Sequence, residues 1–283
     1  MGSVDPGSIE HPKAAAPAGS VVRVPFGLRD HVRHFALMGK YAAITATLEA
    51  LHLSGAARLA PARLRGRGAI FTLHHVRPFD PSRFHASAHL EITPQFLEAV
   101  ILHVRRLGYE TIPLAEVPAR LAAAEEAPRF VAFSLDDGYR DNLLHARPVF
   151  ERHGVPFTVF ATSGFVTRER TVWWQTLEKT IAAVDDLRWD AGDRHLHFAC
   201  SSRRAKAMTF RRVVDWMNSV DEDWAVATLD RVSAEHGISA IDVTDQEVMS
   251  VEELRDLARS PLVTIGAHTW SHVNLRRVSH DRL

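Results

Sequence analysis

The sequence predicts an α/β fold in which buried strands alternate with helices and carry chemistry at their C-terminal ends. Three observations predict it. Arg129-Phe130-Val131-Ala132-Phe133 and Pro261-Leu262-Val263-Thr264-Ile265 are short apolar runs rich in β-branched and aromatic residues, the pattern of buried strands. The first leads into Ser134-Leu135-Asp136-Asp137-Gly138-Tyr139 and the second into His268-Thr269-Trp270-Ser271-His272. Between them, helix-period segments alternate with a further strand, Pro156-Phe157-Thr158-Val159-Phe160.

The elements follow in order. Residues 1–20 carry Pro6-Gly7-Ser8 and an Ala/Pro-rich run and are expected to be disordered. Phe35, Met38, Ile44, Leu48 and Leu51 recur at near-helical spacing, so an amphipathic helix is expected over 35–53, its apolar face packed on the main domain. Lys40 and Glu49 interrupt this stretch, which is too polar to span a bilayer. Arg58, Arg63, Arg65 and Arg67 mark a basic linker. A strand, Ile70-Phe71-Thr72-Leu73, ends at His74-His75-Val76, and a polar loop with Arg83, His85 and His89 follows, placed to line a cleft. Thr93 caps a helix that starts at Pro94 and ends at Gly108. Tyr109-Glu110-Thr111-Ile112 is a short strand, and 114–126 and 142–153 read as helices.

Residues 165–249 hold a mainly helical stretch. Helices are expected over 173–184, 203–219 and 223–236, with a hairpin around Asp190-Ala191-Gly192-Asp193. Ser250 and Glu253 form a capping box for the helix that follows. Trp173 and Trp174 read either as a stacking platform for sugar rings or as core packing of this segment.

Composition excludes several classes. Lys plus Arg equals Asp plus Glu at 34 each, so no charge field recruits nucleic acid or an anionic membrane. The single cysteine, Cys200, cannot form an internal disulfide. No signal-peptide pattern or integral membrane segment is evident, which leads to a cytoplasmic expectation. Of the 17 histidines, His11, His31, His34, His52, His153, His195 and His236 read as surface or packing residues.

What remains is one carboxylate pair and one histidine pair. One carboxylate with two histidines can hold a metal ion and leave positions open, while the second carboxylate is free to act as a base. That set of parts suits metal-assisted hydrolysis. An iron redox site is disfavoured, because such sites set the carboxylate close to the first histidine in sequence, whereas Asp137 lies far upstream of His268.

At this level the chain resembles the polysaccharide deacetylases of carbohydrate esterase family 4. Ser134 to Gly138 match the family's Thr/Ser-Phe/Leu-Asp-Asp-Gly motif, and His268 to His272 match its His-Ser/Thr-x-x-His motif. His74 matches a histidine that ends the opening strand of many members and borders the active site. The resemblance covers roughly 66–283, read as the deacetylase-like domain with an insertion over 165–249, and leaves 1–65 as an N-terminal region. It implies a distorted (β/α) barrel of deacetylase type. It implies Asp136 as general base, and Asp137, His268 and His272 as ligands of one divalent metal ion, zinc by its donor set. Thr269 braces the loop between the histidines. The implied substrate is an N-acetylated saccharide.

The chain departs from the family in one respect. An Arg-x-Pro motif, an Asp-Trp motif and the Leu-x-His motif of the catalytic acid normally follow the second motif, and none lies in the eleven residues after His272. The barrel is therefore expected to be C-terminally incomplete and the activity impaired, unless His74 or His75 replaces the acid. Two other readings stay open: a C–N hydrolase acting on a small amide, and a saccharide-binding accessory protein without turnover.

Overall fold

The computed structural model describes residues 22–59, 66–123, 127–191 and 194–282. A short strand β1 (Val22–Arg23) leads into helix α1 (Leu28–Ser54). Strands β2 (Gly68–Leu73), β3 (His75–Val76) and β4 (Glu91–Ile92) precede helix α2 (Pro94–Arg106). Strand β5 (Glu110–Thr111) and helix α3 (Val117–Ala122) come next. Strand β6 (Phe130–Asp137), helix α4 (Arg147–Arg152), strand β7 (Phe157–Ala161) and the single turn α5 (Ser163–Val166) follow. Helix α6 (Trp173–Ala183), hairpin strands β8 (Asp186–Ala191) and β9 (Arg194–Ala199), and helices α7 (Arg203–Met217), α8 (Glu222–Glu235) and α9 (Ala240–Glu247) form the middle of the chain. Helix α10 (Val251–Leu257) and strand β10 (Val263–Ala267) complete the order.

The central sheet is parallel, with order β10-β7-β6-β2, and β5 pairs the start of β6. β6 lies in the middle because nearly every residue in it is buried, which a parallel strand covered on both faces requires. Val131, Phe133 and Leu135 face one core with Leu97, Ile101 and Val104 of α2 and Val149 and Phe150 of α4. Phe130 and Ala132 face another with Ile112 and Val117. Among the described residues the sheet is an open arc with β2 and β10 at its edges.

A second layer is built by α6, α7, α8 and the β8–β9 hairpin around Leu177, Leu187, Trp189, Val213 and Leu229. β1 adds to β9 in parallel. The hairpin and the flanking helices stand where the sequence places them, and α9 is an additional helix. The hairpin tip, Gly192 and Asp193, lies outside the described residues, as do residues 1–20, Arg63, Arg65 and the end of the 114–126 helix.

Three expectations are corrected. The N-terminal helix does not lay its apolar face on the central sheet. Phe35, Tyr41, Ile44, Leu48 and Leu51 are exposed, and the anchoring contacts come from α7 to the first turns: Arg212 Nε donates to Asp30 at 2.9 Å, and the Arg204 guanidinium lies over Phe35. Its hydrophobic positions are spread around the helix with only a weak stripe, so no single face demands burial. Second, the helix after the first motif is not uniform: Asn142–Ala146 is π-helical before α4. Pro148 has no N–H for a regular helical bond, so the turn before it widens. Third, the apolar run before the second motif pairs as Val263–Ala267, later than the run at 261–265, which carries the strand up to His268 itself. Among the described residues no helix is long and apolar enough to cross a membrane.

Candidate metal centre

Register brings the two motifs together. Asp137 of β6 pairs with Ala161 of β7, and Ala161 pairs with Ala267 of β10. His268 therefore leaves the sheet at the level of Asp137, and its N–H donates to Ala161 O at 2.9 Å.

Backbone conformation then aims the side chains. A regular strand would send adjacent carboxylates to opposite faces. Asp137 breaks the alternation with φ 72°, in the left-handed region. Gly138 follows at φ 76°, and a Cβ there would stand 3.2 Å from the Ala161 methyl carbon. Thr269 and His272 are also left-handed, at φ 61° and 56°. Side chains favour that region rarely, and such residues cluster at functional sites. Thus His268 and His272 meet through a coiled loop, with ring centroids 4.9 Å apart, and not as neighbours on a helix face.

The loop is held from below. Thr269 Oγ1 accepts the His272 N–H at 2.9 Å. Thr162 Oγ1 donates to His268 O at 3.1 Å, and the Gly164 N–H donates to Trp270 O at 2.8 Å. A Cβ at position 164 would lie 2.5 Å from that Trp270 oxygen, so glycine is what lets the two loops touch.

The result is a compact donor set. His272 Nε2 is 3.3 Å and His268 Nε2 3.6 Å from Asp137 Oδ1. The three ligand atoms lie within 4.8 Å of one another. Asp137 is buried, and its Oδ1 has no hydrogen-bond partner. A buried carboxylate oxygen left unpaired is costly, and a cation between it and two imidazoles removes that cost. Burial lowers the proton affinity of His272 despite the nearby Asp137 charge, which favours the neutral imidazole that a metal needs. The residues present fit a divalent ion.

Asp136 is half-buried beside this set, and burial raises its pKa above the ordinary carboxylate range. His74 follows Leu73, which pairs with Leu135, so register sets His74 at the level of Asp136.

His75, the neighbouring histidine, is fully committed elsewhere. Arg83 donates to Gln175 Oε1 at 3.2 Å, which turns the Gln175 amide nitrogen toward His75 Nε2 at 2.9 Å. Nε2 is therefore the acceptor, and Nδ1–H donates to Asp141 at 2.6 Å. This buried imidazole stacks on Tyr139, with centroids 3.6 Å apart. Both ring nitrogens are already hydrogen-bonded, to Asp141 and Gln175, which argues against it as a substitute acid. The polar loop is likewise not part of the cleft wall: Arg83 is paired with buried Glu178 at 2.9 Å, His85 contacts Glu91 at 3.1 Å, and His89 is exposed.

A cleft of about 380 Å³ opens over the two histidines. Trp173, Trp174, Met217 and Leu275 give it apolar walls, and Glu222 and Arg277 bring charge. Trp173 and Trp174 both line the cleft; Trp173 also packs in the second layer, and Trp174 packs with Tyr139, Phe165 and Val172. Sequence spacing did not reveal Trp174 against His272, at 4.7 Å between centroids, or Glu222 at the start of α8.

No family profile and no curated protein sequence matches the chain. Its neighbours among solved structures are deacetylases. A Streptococcus pyogenes deacetylase, PplD, in complex with acetate is 21% identical over 35% of this chain and 44% of its own, with a TM-score of 0.31. A polysaccharide deacetylase from Bacillus cereus is 11% identical over 77% and 44%, with a TM-score of 0.39. The BpsB deacetylase domain from Bordetella bronchiseptica is 13% identical over 71% and 53%, with a TM-score of 0.32. The chain spans about half the length of these solved chains. With identities and TM-scores this low, the residues of the chain itself must carry the function.

Proposed function

We propose that this chain is a metal-dependent hydrolase that removes N-acetyl groups from a saccharide. One observation carries the reading: a buried, unpartnered Asp137 Oδ1 stands 3.3 Å and 3.6 Å from two imidazole nitrogens at the mouth of a cleft. In this reading residues 66–283 are a deacetylase-like domain, the open sheet is an arc of its barrel, and 165–249 are an insertion that supplies one cleft wall.

Asp137, His268 and His272 would hold the ion, and zinc suits borderline-soft nitrogen with carboxylate oxygen. A bound divalent ion supplies Lewis-acid polarisation of the amide oxygen and of water. Asp136 takes the proton of the attacking water, and its raised pKa brings its basicity nearer to that task than an ordinary Asp. The amide C–N bond breaks as the leaving amine gains a proton. Asp136, once protonated, and His74 beside it are the candidate donors. Trp173 offers a ring face for the sugar, and Thr269 braces the histidine loop.

The test is acetate release from N-acetylated glucosamine oligomers by zinc-loaded protein, with Asp136→Asn as control. Turnover in the parent and none in the variant is the expected result. Sugar binding without acetate release in both would instead support an accessory binding protein.

A further inference from the structure

The two arms of the metal centre come from strands β6 and β10, yet a single residue of α6 touches both. Trp174 Nε1 donates to the Tyr139 hydroxyl at 2.7 Å. The Trp174 ring also packs against the His272 imidazole, with centroids 4.7 Å apart, and meets Phe165 edge-on at 5.8 Å. Tyr139 is fully buried two residues past Asp137, clamped between the stacked His75 ring and the Ala161–Phe165–Val172 cluster.

The direction of the bonds matters. An indole N–H is donor only, so the Tyr139 oxygen accepts, and its own proton is left for another acceptor. Tyr139 follows Asp137 by two residues in the same buried turn, so holding its ring holds the backbone that carries the ligand. The indole thus holds the residue two positions past the anionic ligand, while its ring packs on the second imidazole. Metal ligands are commonly oriented by such outer contacts.

We propose that Trp174 is a positioning residue that couples the two arms of the metal centre, holding Asp137 through Tyr139 and His272 through ring packing. This rests on the metal reading above. It also divides the tryptophan pair: Trp173 serves the cleft, and Trp174 serves the metal.

Zinc affinity, measured by competition with a chromophoric chelator on the full chain, tests this. Trp174→Phe keeps an aromatic ring against His272 but removes the donor, and Tyr139→Phe removes the hydroxyl. Each is expected to weaken zinc binding by about tenfold. The double variant should be no worse than either single one, because both remove the same Trp174–Tyr139 hydrogen bond. Trp173→Ala should leave affinity unchanged. Thermal unfolding of the apo proteins separates loss of fold from loss of positioning, and the cobalt(II) absorption spectrum should change shape in Trp174→Phe. Parent-like affinity in both single variants, or losses that add in the double variant, would overturn the proposal while leaving the metal site standing. A parent protein that binds no zinc would remove the metal reading and this one with it.

Discussion

The Nε2 atom of His272 stands 3.3 Å from Oδ1 of Asp137, a buried oxygen with no hydrogen-bond partner. Both residues sit in left-handed backbone, at φ 56° and 72°. The chain accepts strain at both ends of this contact to bring a carboxylate and an imidazole together, which is the arrangement a cation needs.

The division of labour between the carboxylates is testable. Asp136→Asn should retain zinc at parental affinity and lose turnover, because its side chain is a base and not a ligand. Asp137→Asn should lose zinc. Equal metal loss in the two variants would show the roles to be wrongly assigned.

Asp136 also sets a pH limb. Burial raises its pKa above the ordinary Asp value of about 3.9. The base is active only when ionised. Turnover should therefore fall as pH drops through a midpoint above that value. A rate that stays flat down to the ordinary Asp range would count against Asp136 as the base.

Thr269 acts through one hydrogen bond, accepting the His272 N–H at 2.9 Å. Thr269→Ser keeps the oxygen and should keep zinc affinity. Thr269→Ala should weaken it by about tenfold. Isothermal titration of the two variants distinguishes this bracing role from simple loop packing, in which the serine and alanine variants would behave alike.

Asp230 gives a stability prediction away from the centre. Burial raises its carboxyl to about 6, although the Thr171 hydroxyl donates to it at 2.9 Å. Its other oxygen, Oδ1, is buried without a partner. The unfolded chain titrates near 3.9, so between about 4 and about 6 the folded state holds a proton that the unfolded state has released. Stability should fall as pH rises across that window. Asp230→Asn should flatten the slope and gain on the order of 2 kcal/mol at pH 7, with little change at pH 4. Urea unfolding at the two pH values checks it; an unchanged slope would show that Asp230 titrates normally.

The strands of the central sheet and the helices over the second layer were legible because their signals are local: β-branched runs, helix caps such as Ser250 with Glu253, and the Trp173–Trp174 helix start. The pairing of Asp137 with two histidines was legible as residue types after strands. Its geometry was not, since it depends on the β6-β7-β10 register and on left-handed residues such as Thr269, which no periodicity marks. The state of His75 was hidden for a similar reason, because Gln175, His75 and Asp141 come from distant segments. The N-terminal helix misled because its apolar residues suggest a burial that the described structure does not supply.

The central claim is a metal held by Asp137, His268 and His272. Its most direct test is zinc stoichiometry, by elemental analysis of purified protein after zinc loading and desalting, for the parent, His268→Ala and His272→Ala. One equivalent in the parent, and none in either folded variant, is the result this account predicts. A full equivalent retained by His272→Ala, with its fold intact by circular dichroism, would contradict it.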